Sequence, residues 1–136
     1  MQKGLILPGL IILVGAAISW LIVCGGVSCS AAGGSSENEI VNMVKNKSVV
    51  LLDVRRDEEW QAGHAAGAIH WDLVKLQAGQ MPDIPKDADV QIYCRTGNRA
   101  GTARSIMLQN GWQKVSNLGG LTDWEKVGGR VVAGEN

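Results

Sequence analysis

The chain has 136 residues, 46% of them hydrophobic, and its 13 basic and 13 acidic side chains leave a formal charge of zero. That length suits one domain with an ordinary core, and that composition excludes a disordered chain and the basic surface that nucleic acid requires. Three cysteines are too few for a disulfide scaffold, and two histidines without a Cys-x-x-Cys pair give a metal site little support.

Residues 4–23 are almost wholly apolar, preceded by Lys3, and no acidic residue appears before Glu37. A helix of about twenty residues spans roughly 30 Å, the thickness of a bilayer core. The stretch reads as a cleaved secretion signal or as a retained anchor. It is long for a signal, whose apolar region usually runs about 7–15 residues. A small-residue stretch follows, in which Ser30-Ala31-Ala32 offers a weak cleavage site. Cys29 after Ser28 is a weak candidate for lipidation, because Gly26 stands where such signals usually carry Leu. Cys24 fits worse after the bulky Val23. In each version Lys3 stays on the cytoplasmic side, so the domain is expected to be exported, in the periplasm or cell envelope. Residues 1–34 are therefore read as leader or anchor plus linker, and residues 35–136 as the folded domain.

Ser36-x-x-Glu39 reads as a capping box for a helix with Ile40, Met43 and Val44 on its apolar face. Residues 49–54 form an apolar run interrupted by Asp53, a pattern that suits a parallel strand buried on both faces. Asp57 is expected to cap a short helix through Trp60. A small strand at Ala68 and Ile69 follows, then a helix capped by Asp72 that holds Leu73, Val74 and Leu76. Residues 82–89 are a loop with two prolines. Residues 90–93 read as a buried strand and residues 100–110 as a helix with Ala100, Ala103 and Met107 on one face, stopped by Asn110-Gly111. A short strand from Val115 and a closing helix over residues 121–127, stopped by Gly128-Gly129, complete the chain. Strands alternating with helices imply an α/β fold: a small parallel sheet, expected to have five strands, with helices on both faces and one apolar helix in front.

Between the strand ending at Tyr93 and the helix after it lies Cys94-Arg95-Thr96-Gly97-Asn98-Arg99. The carboxyl end of a parallel strand is where ligands bind in open α/β sheets. A tight turn into a helix N-terminus aims backbone N–H groups inward, and Arg95 and Arg99 add positive charge, so the site favours a thiolate and a small anion. Gly97 can take the positive φ that such a turn demands. A lone cysteine at a strand end is most often a small buried hydrophobe. A packing site, however, does not need two cations beside it. Among other candidates, Asp53 and Arg55 lie at a neighbouring strand end, as an anion-binding pair or, more simply, an ion pair bracing that end. His64 is expected to bond to the backbone, His70 to sit at the rim, Arg104 to be solvated, and Trp112 and Trp124 to pack in the core or at its rim.

The Cys-x-x-Gly-x-Arg loop after an apolar strand resembles the active-site loop of rhodanese-type sulfurtransferases. Leu51-Leu52-Asp53-Val54-Arg55 is similar to that family's first core strand. The stretch from Glu58 to Ile69 resembles its E-aromatic-x-x-G-H-I-x-G-A-I segment, with Trp60 where Phe is commoner and Ala65 where Ile is usual. Gly119-Gly120-Leu121-Thr122-Asp123-Trp124 resembles its closing G-G-x-x-x-W. The likeness covers roughly residues 36–132. It implies a cofactor-free sulfurtransferase in which Cys94 carries a persulfide. Arg95, Thr96, Gly97, Asn98, Arg99 and Arg55 would then bind a small anionic sulfur donor such as thiosulfate, with cyanide or a thiol as acceptor. The domain is expected to be monomeric, with no nucleic-acid partner and with membrane contact only through its N-terminal segment.

Two other readings stand beside this one. Cysteine-dependent phosphatases and arsenate reductases use a Cys-x5-Arg loop, whose arginine would fall here on Ala100. Arg99 gives Cys-x4-Arg, a shorter loop that suits one added sulfur and crowds a phosphate. A module that carries persulfide or binds a partner without turnover is the other reading. The intact Cys94 and its arginines argue against it, since an inactive module has no need of a nucleophile.

Overall fold

The computed structural model describes residues 37–134. The apolar stretch, the cysteines at 24 and 29, the linker and the Ser36 cap lie outside the described residues, as do the leader, anchor and export expectations built on them. Among the described residues, no helix is long and apolar enough to cross a membrane.

Helix α1 (Glu37–Lys45) leads into β1 (Val49–Asp53), then α2 (Asp57–Ala62), β2 (His64–Ala65), β3 (Ile69–His70) and α3 (Leu73–Gln77). The second half comprises β4 (Asp89–Cys94), α4 (Asn98–Gln109), β5 (Lys114–Gly120), α5 (Leu121–Lys126) and β6 (Val131–Val132). The central sheet runs β3-β1-β4-β5, and every pair in it is parallel.

Four strands, not the expected five, form this sheet. The two further strands, β2 and β6, pair antiparallel with each other instead. Their hydrogen bonds explain why. The Ala65 N–H donates to the Tyr93 hydroxyl and the Ala66 N–H to the Arg130 carbonyl, so the amides of this segment are bonded outside the main ladder.

β1 and β4 are buried on both faces, as parallel strands between helical layers must be. Leu52, Val54, Val90, Ile92 and Cys94 pack against Leu73, Leu76, Ala100, Ala103 and Met107 of α3 and α4. Leu51 and Tyr93 point the other way, towards Val41 and Val44 of α1 and Trp124 of α5. Leu51 and Leu52 are both fully buried, and each contributes about 2–3 kcal/mol of apolar burial relative to an exposed leucine.

Several local expectations shift in detail. In α1 the buried pair is Val41 and Val44, and Met43 is exposed, because the i, i+3 spacing of the two valines sets the helix's rotation. Arg56, not Asp57, takes the position before α2, and its backbone N–H donates to the Glu59 carboxylate (3.2 Å). Asp72 does cap α3, accepting from the Val74 N–H (3.1 Å). Gly111, at φ +97°, marks the stop expected after α4.

The β4–β5 ladder carries one irregularity that matters for the site. Ile92 pairs with Asn117 but Tyr93 pairs with Gly119, so Leu118 is an extra residue in β5. Such a bulge re-aims the strand beyond it. Here it sets Gly119 and Gly120 beside Tyr93 and Cys94.

Candidate active site

Cys94 ends β4 and is fully buried. Its Sγ accepts the Gly97 N–H at 3.0 Å. Gly97 has φ +92°, the left-handed conformation the turn was expected to need, and it caps α4. The loop therefore bends back on its own sulfur within three residues, and a backbone amide points at the Cys94 sulfur.

Two glycines of β5 close the loop from the other side. A Cβ at Gly97 would approach the Gly119 Cα to 3.3 Å, and one at Gly120 would collide with the carbonyl oxygen of Arg95. Asn117 ties the strands together: its Nδ2 donates to the Gly97 carbonyl (3.0 Å) and its Oδ1 accepts the Gly119 N–H (2.9 Å). Asp123 fixes the next amide, accepting the Gly120 N–H (2.8 Å). Its carboxyl is held below the usual range by the Lys126 hydrogen bond and then by that amide. Gly120→Ala is expected to push the Arg95 peptide out of place and destabilise the fold by about 1–3 kcal/mol, the usual cost of overpacking. Cys94-dependent activity should fall more than stability does. Urea unfolding and turnover measured on one preparation check this.

Beneath the loop is a buried polar network. The Asp53 carboxylate accepts from the Arg55 N–H (2.9 Å), from Arg55 Nε (2.9 and 3.0 Å) and Nη2 (2.7 Å), and from the Tyr93 hydroxyl. Arg55 Nη2 also donates to the Gly63 carbonyl (2.7 Å). Burial alone would lower the Arg55 guanidinium, but the Asp53 hydrogen bonds and charge outweigh it and leave the group above its ordinary value. Burial, then the charge of Asp53, pushes the Tyr93 phenol well above its usual range, so it stays a donor. The ion pair foreseen at this strand end is thus present. Arg55 uses its guanidinium on Asp53 and Gly63 while bordering the outer recess described below.

Arg99 enters the site from the first turn of α4. Its Nη1 and Nη2 meet Glu59 Oε2 and Oε1 of α2 at 2.6 and 2.9 Å. This two-pronged bond is the main cause that raises Arg99 above its ordinary value and lowers Glu59 to about 2. A depressed carboxyl stabilises the fold above its unfolded value, near 4.5, and that contribution is lost as pH falls through about 2. The pair therefore persists across the whole mildly acid range.

The loop opens on two adjoining recesses. One, of about 430 Å³, is lined by Arg56, Glu58, Glu59, Arg95 and Arg99. The other, of about 380 Å³, is lined by Arg55, Glu59, Ala62, Gly63, Arg95, Leu121 and Val131. Arg95 borders both, and Thr96 and Asn98 are exposed on the loop. His64 and His70 flank Trp60, stacked at 3.5 and 4.9 Å between ring centroids. His64 Nδ1 donates to the Trp60 carbonyl (3.0 Å), the backbone bond expected of it, and His70 Nε2 donates to the Arg55 carbonyl (2.9 Å). Trp112 and Trp124 are buried, as expected of core residues. Arg104, expected to be solvated, is exposed but donates through Nε to the Val115 carbonyl (2.8 Å), tying α4 to β5.

Glu59 and Asn117 escaped the sequence reading as site residues. Glu59 stood only inside a family-like segment, and it meets Arg99 across 40 positions. Asn117 carried no signal, because its role depends on the bulge.

The parallel sheet, the strand-end cysteine and the loop closed over it define an α/β domain with a buried cysteine set beside an arginine-lined mouth. Comparison with known proteins gives the family. The rhodanese-like domain model matches residues 36–127, and the chain belongs to that family. It is 35% identical over 101 residues to a sulfurtransferase of Allochromatium vinosum, covering 74% of this chain and 94% of that protein. It is 37% identical over 73 residues to the thiosulfate sulfurtransferase PspE of Escherichia coli, covering 53% of this chain and 70% of that one. Among solved structures, an E. coli rhodanese with anions superposes with a TM-score of 0.53 at 34% identity, over 63% of this chain and 99% of that one.

Proposed function

We propose that the domain is a thiosulfate sulfurtransferase working through a persulfide on Cys94. The observation that carries this reading is the Gly97 N–H bonded to Cys94 Sγ inside a loop one residue too short for a phosphatase. The names of the relatives at 35% and 37% identity support it.

In the first half-reaction the Cys94 thiolate attacks the outer sulfur of thiosulfate. A new S–S bond forms, the S–S bond to the sulfite group breaks, and sulfite leaves with the electron pair. In the second, cyanide or a thiolate attacks the outer persulfide sulfur, and the Cys94 thiolate is regenerated. Two half-reactions with a covalent intermediate give ping-pong kinetics. Arg95, at the junction of the two recesses, and Arg99 attract the anionic donor, while the Gly97 amide faces the sulfur being loaded.

The apolar stretch behind Lys3 supports placing this chemistry in the cell envelope. One measurement tests the whole reading. The intact mass of protein recovered from membranes and treated with thiosulfate should show one added sulfur, localised to Cys94, and the same spectrum reads leader cleavage and lipid. A folded protein with an unmodified Cys94 would overturn the assignment.

A further inference from the structure

The geometry points to Glu59 as a built-in counter-anion that competes with the sulfur oxyanion for Arg99 and so sets how tightly the mouth holds donor and product. As a statement about turnover, this rests on the sulfur-transfer reading of Cys94.

Among the described residues, two arginine–carboxylate pairs have opposite character. Arg55 and Asp53 are 6% and 0% exposed at their side chains, locked in the interior. Arg99 and Glu59 are 31% and 29% exposed, at the wall of the larger recess. A pair so open to water contributes little to stability. Its consequence lies elsewhere: both terminal nitrogens of Arg99 are taken by Glu59 in the fork-like geometry that a sulfur oxyanion would use.

The charge count agrees. The recess is lined by three guanidinium groups and two carboxylates, a net of one positive charge (3 − 2 = 1). Glu59, held to about 2, stays ionised wherever the protein works, so the competition is permanent. Its place is fixed as well, because Oε2 also accepts the Arg56 N–H at the start of α2. A dianionic donor must displace a tethered carboxylate to reach Arg99. Sulfite left behind after transfer meets the same carboxylate returning. Glu59 thereby weakens the grip on donor and product alike, and acts through Arg99 as a specificity-setting residue.

The test uses the full chain and inorganic sulfate as an inert dianion. Glu59→Gln can keep one oxygen for the Arg56 N–H while it removes the charge and turns an amide group towards Arg99. In calorimetric titration at low ionic strength the variant should bind sulfate about tenfold tighter than wild type, and the gap should narrow as salt is raised. In turnover, KM for thiosulfate should fall by a similar factor, sulfite inhibition should tighten, and kcat should drop rather than rise. Adding Arg99→Gln should erase the gain in sulfate affinity. Asp83→Asn, which removes the same charge from an exposed loop outside the recess, should leave sulfate affinity within about twofold of wild type. Unchanged affinity in Glu59→Gln, or an equal gain in Asp83→Asn, overturns the inference. Sulfate binding needs no turnover, so the two readings fail separately. A protein that shows the predicted sulfate pattern yet takes no sulfur onto Cys94 sinks the sulfurtransferase assignment and leaves Glu59 in its role.

Discussion

Cys94→Ser should abolish sulfur transfer while leaving the domain folded. Serine is close to isosteric and its hydroxyl can still take the Gly97 N–H, so the loop keeps its internal bond. The site is fully buried and Cys94 packs with Ile92, Ala100 and Ala103. Setting a hydroxyl there costs about 1–3 kcal/mol by the scale of polar burial in proteins, a fraction of a typical domain's stability. The chemistry does not survive the change. An alcohol does not ionise at neutral pH and cannot carry sulfane sulfur, so turnover should fall by about 10⁴-fold or more, as when other covalent enzymes lose their nucleophile. Thiosulfate–cyanide turnover, the mass after thiosulfate treatment and circular dichroism decide the matter together. A folded serine variant that still turns over would place the reaction away from residue 94.

Asp53→Asn should be the most damaging single change to the fold outside the apolar core. The carboxylate accepts from Arg55 at its backbone N–H, Nε and Nη2, and from the Tyr93 hydroxyl. An asparagine keeps one carbonyl oxygen, turns an amide group towards the remaining donors, and leaves a buried guanidinium without its counter-charge. Breaking a buried pair by removing one partner costs about 3–5 kcal/mol. Tyr93→Phe is milder, about 1–3 kcal/mol, since it leaves the Ala65 N–H and one lone pair of Asp53 unmet. Urea unfolding of both variants ranks them. The order should reverse only if the Asp53–Arg55 pair is solvated, which its burial argues against. Because Tyr93 immediately precedes Cys94, both variants should also lose activity beyond the fraction unfolded.

What the sequence revealed, it revealed through local patterns. The β-branched run before Cys94 and the spacing of Ala100, Ala103 and Met107 place that cysteine between a strand and a helix. The structure has all three helix residues buried and Gly97 at positive φ. Those features depend on periods of two and 3.6 residues and on a single turn, all readable within a dozen positions. What was hidden depends on distance. The Glu59–Arg99 bond spans 40 positions, as does Tyr93 to Asp53. The strand count failed for a related reason: His64–Ala65 and Val131–Val132 are two-residue strands whose partner is each other, settled by the Tyr93 hydroxyl and the Arg130 carbonyl. The cap of α2 was misplaced by one residue, because Glu59 reaches back to the Arg56 amide.

Leu118 shows how a flaw in a pattern can be the part worth keeping. A β5 that kept Leu118 but lost the bulge would run in step with β4 to the end and satisfy any rule for tidy ladders. The positions opposite Tyr93 and Cys94 would then fall to Leu118 and Gly119, and an isobutyl group would crowd the neighbourhood that two bare backbones now share. An engineer straightening this sheet for regularity would trade away the gap in which the Cys94 turn is seated.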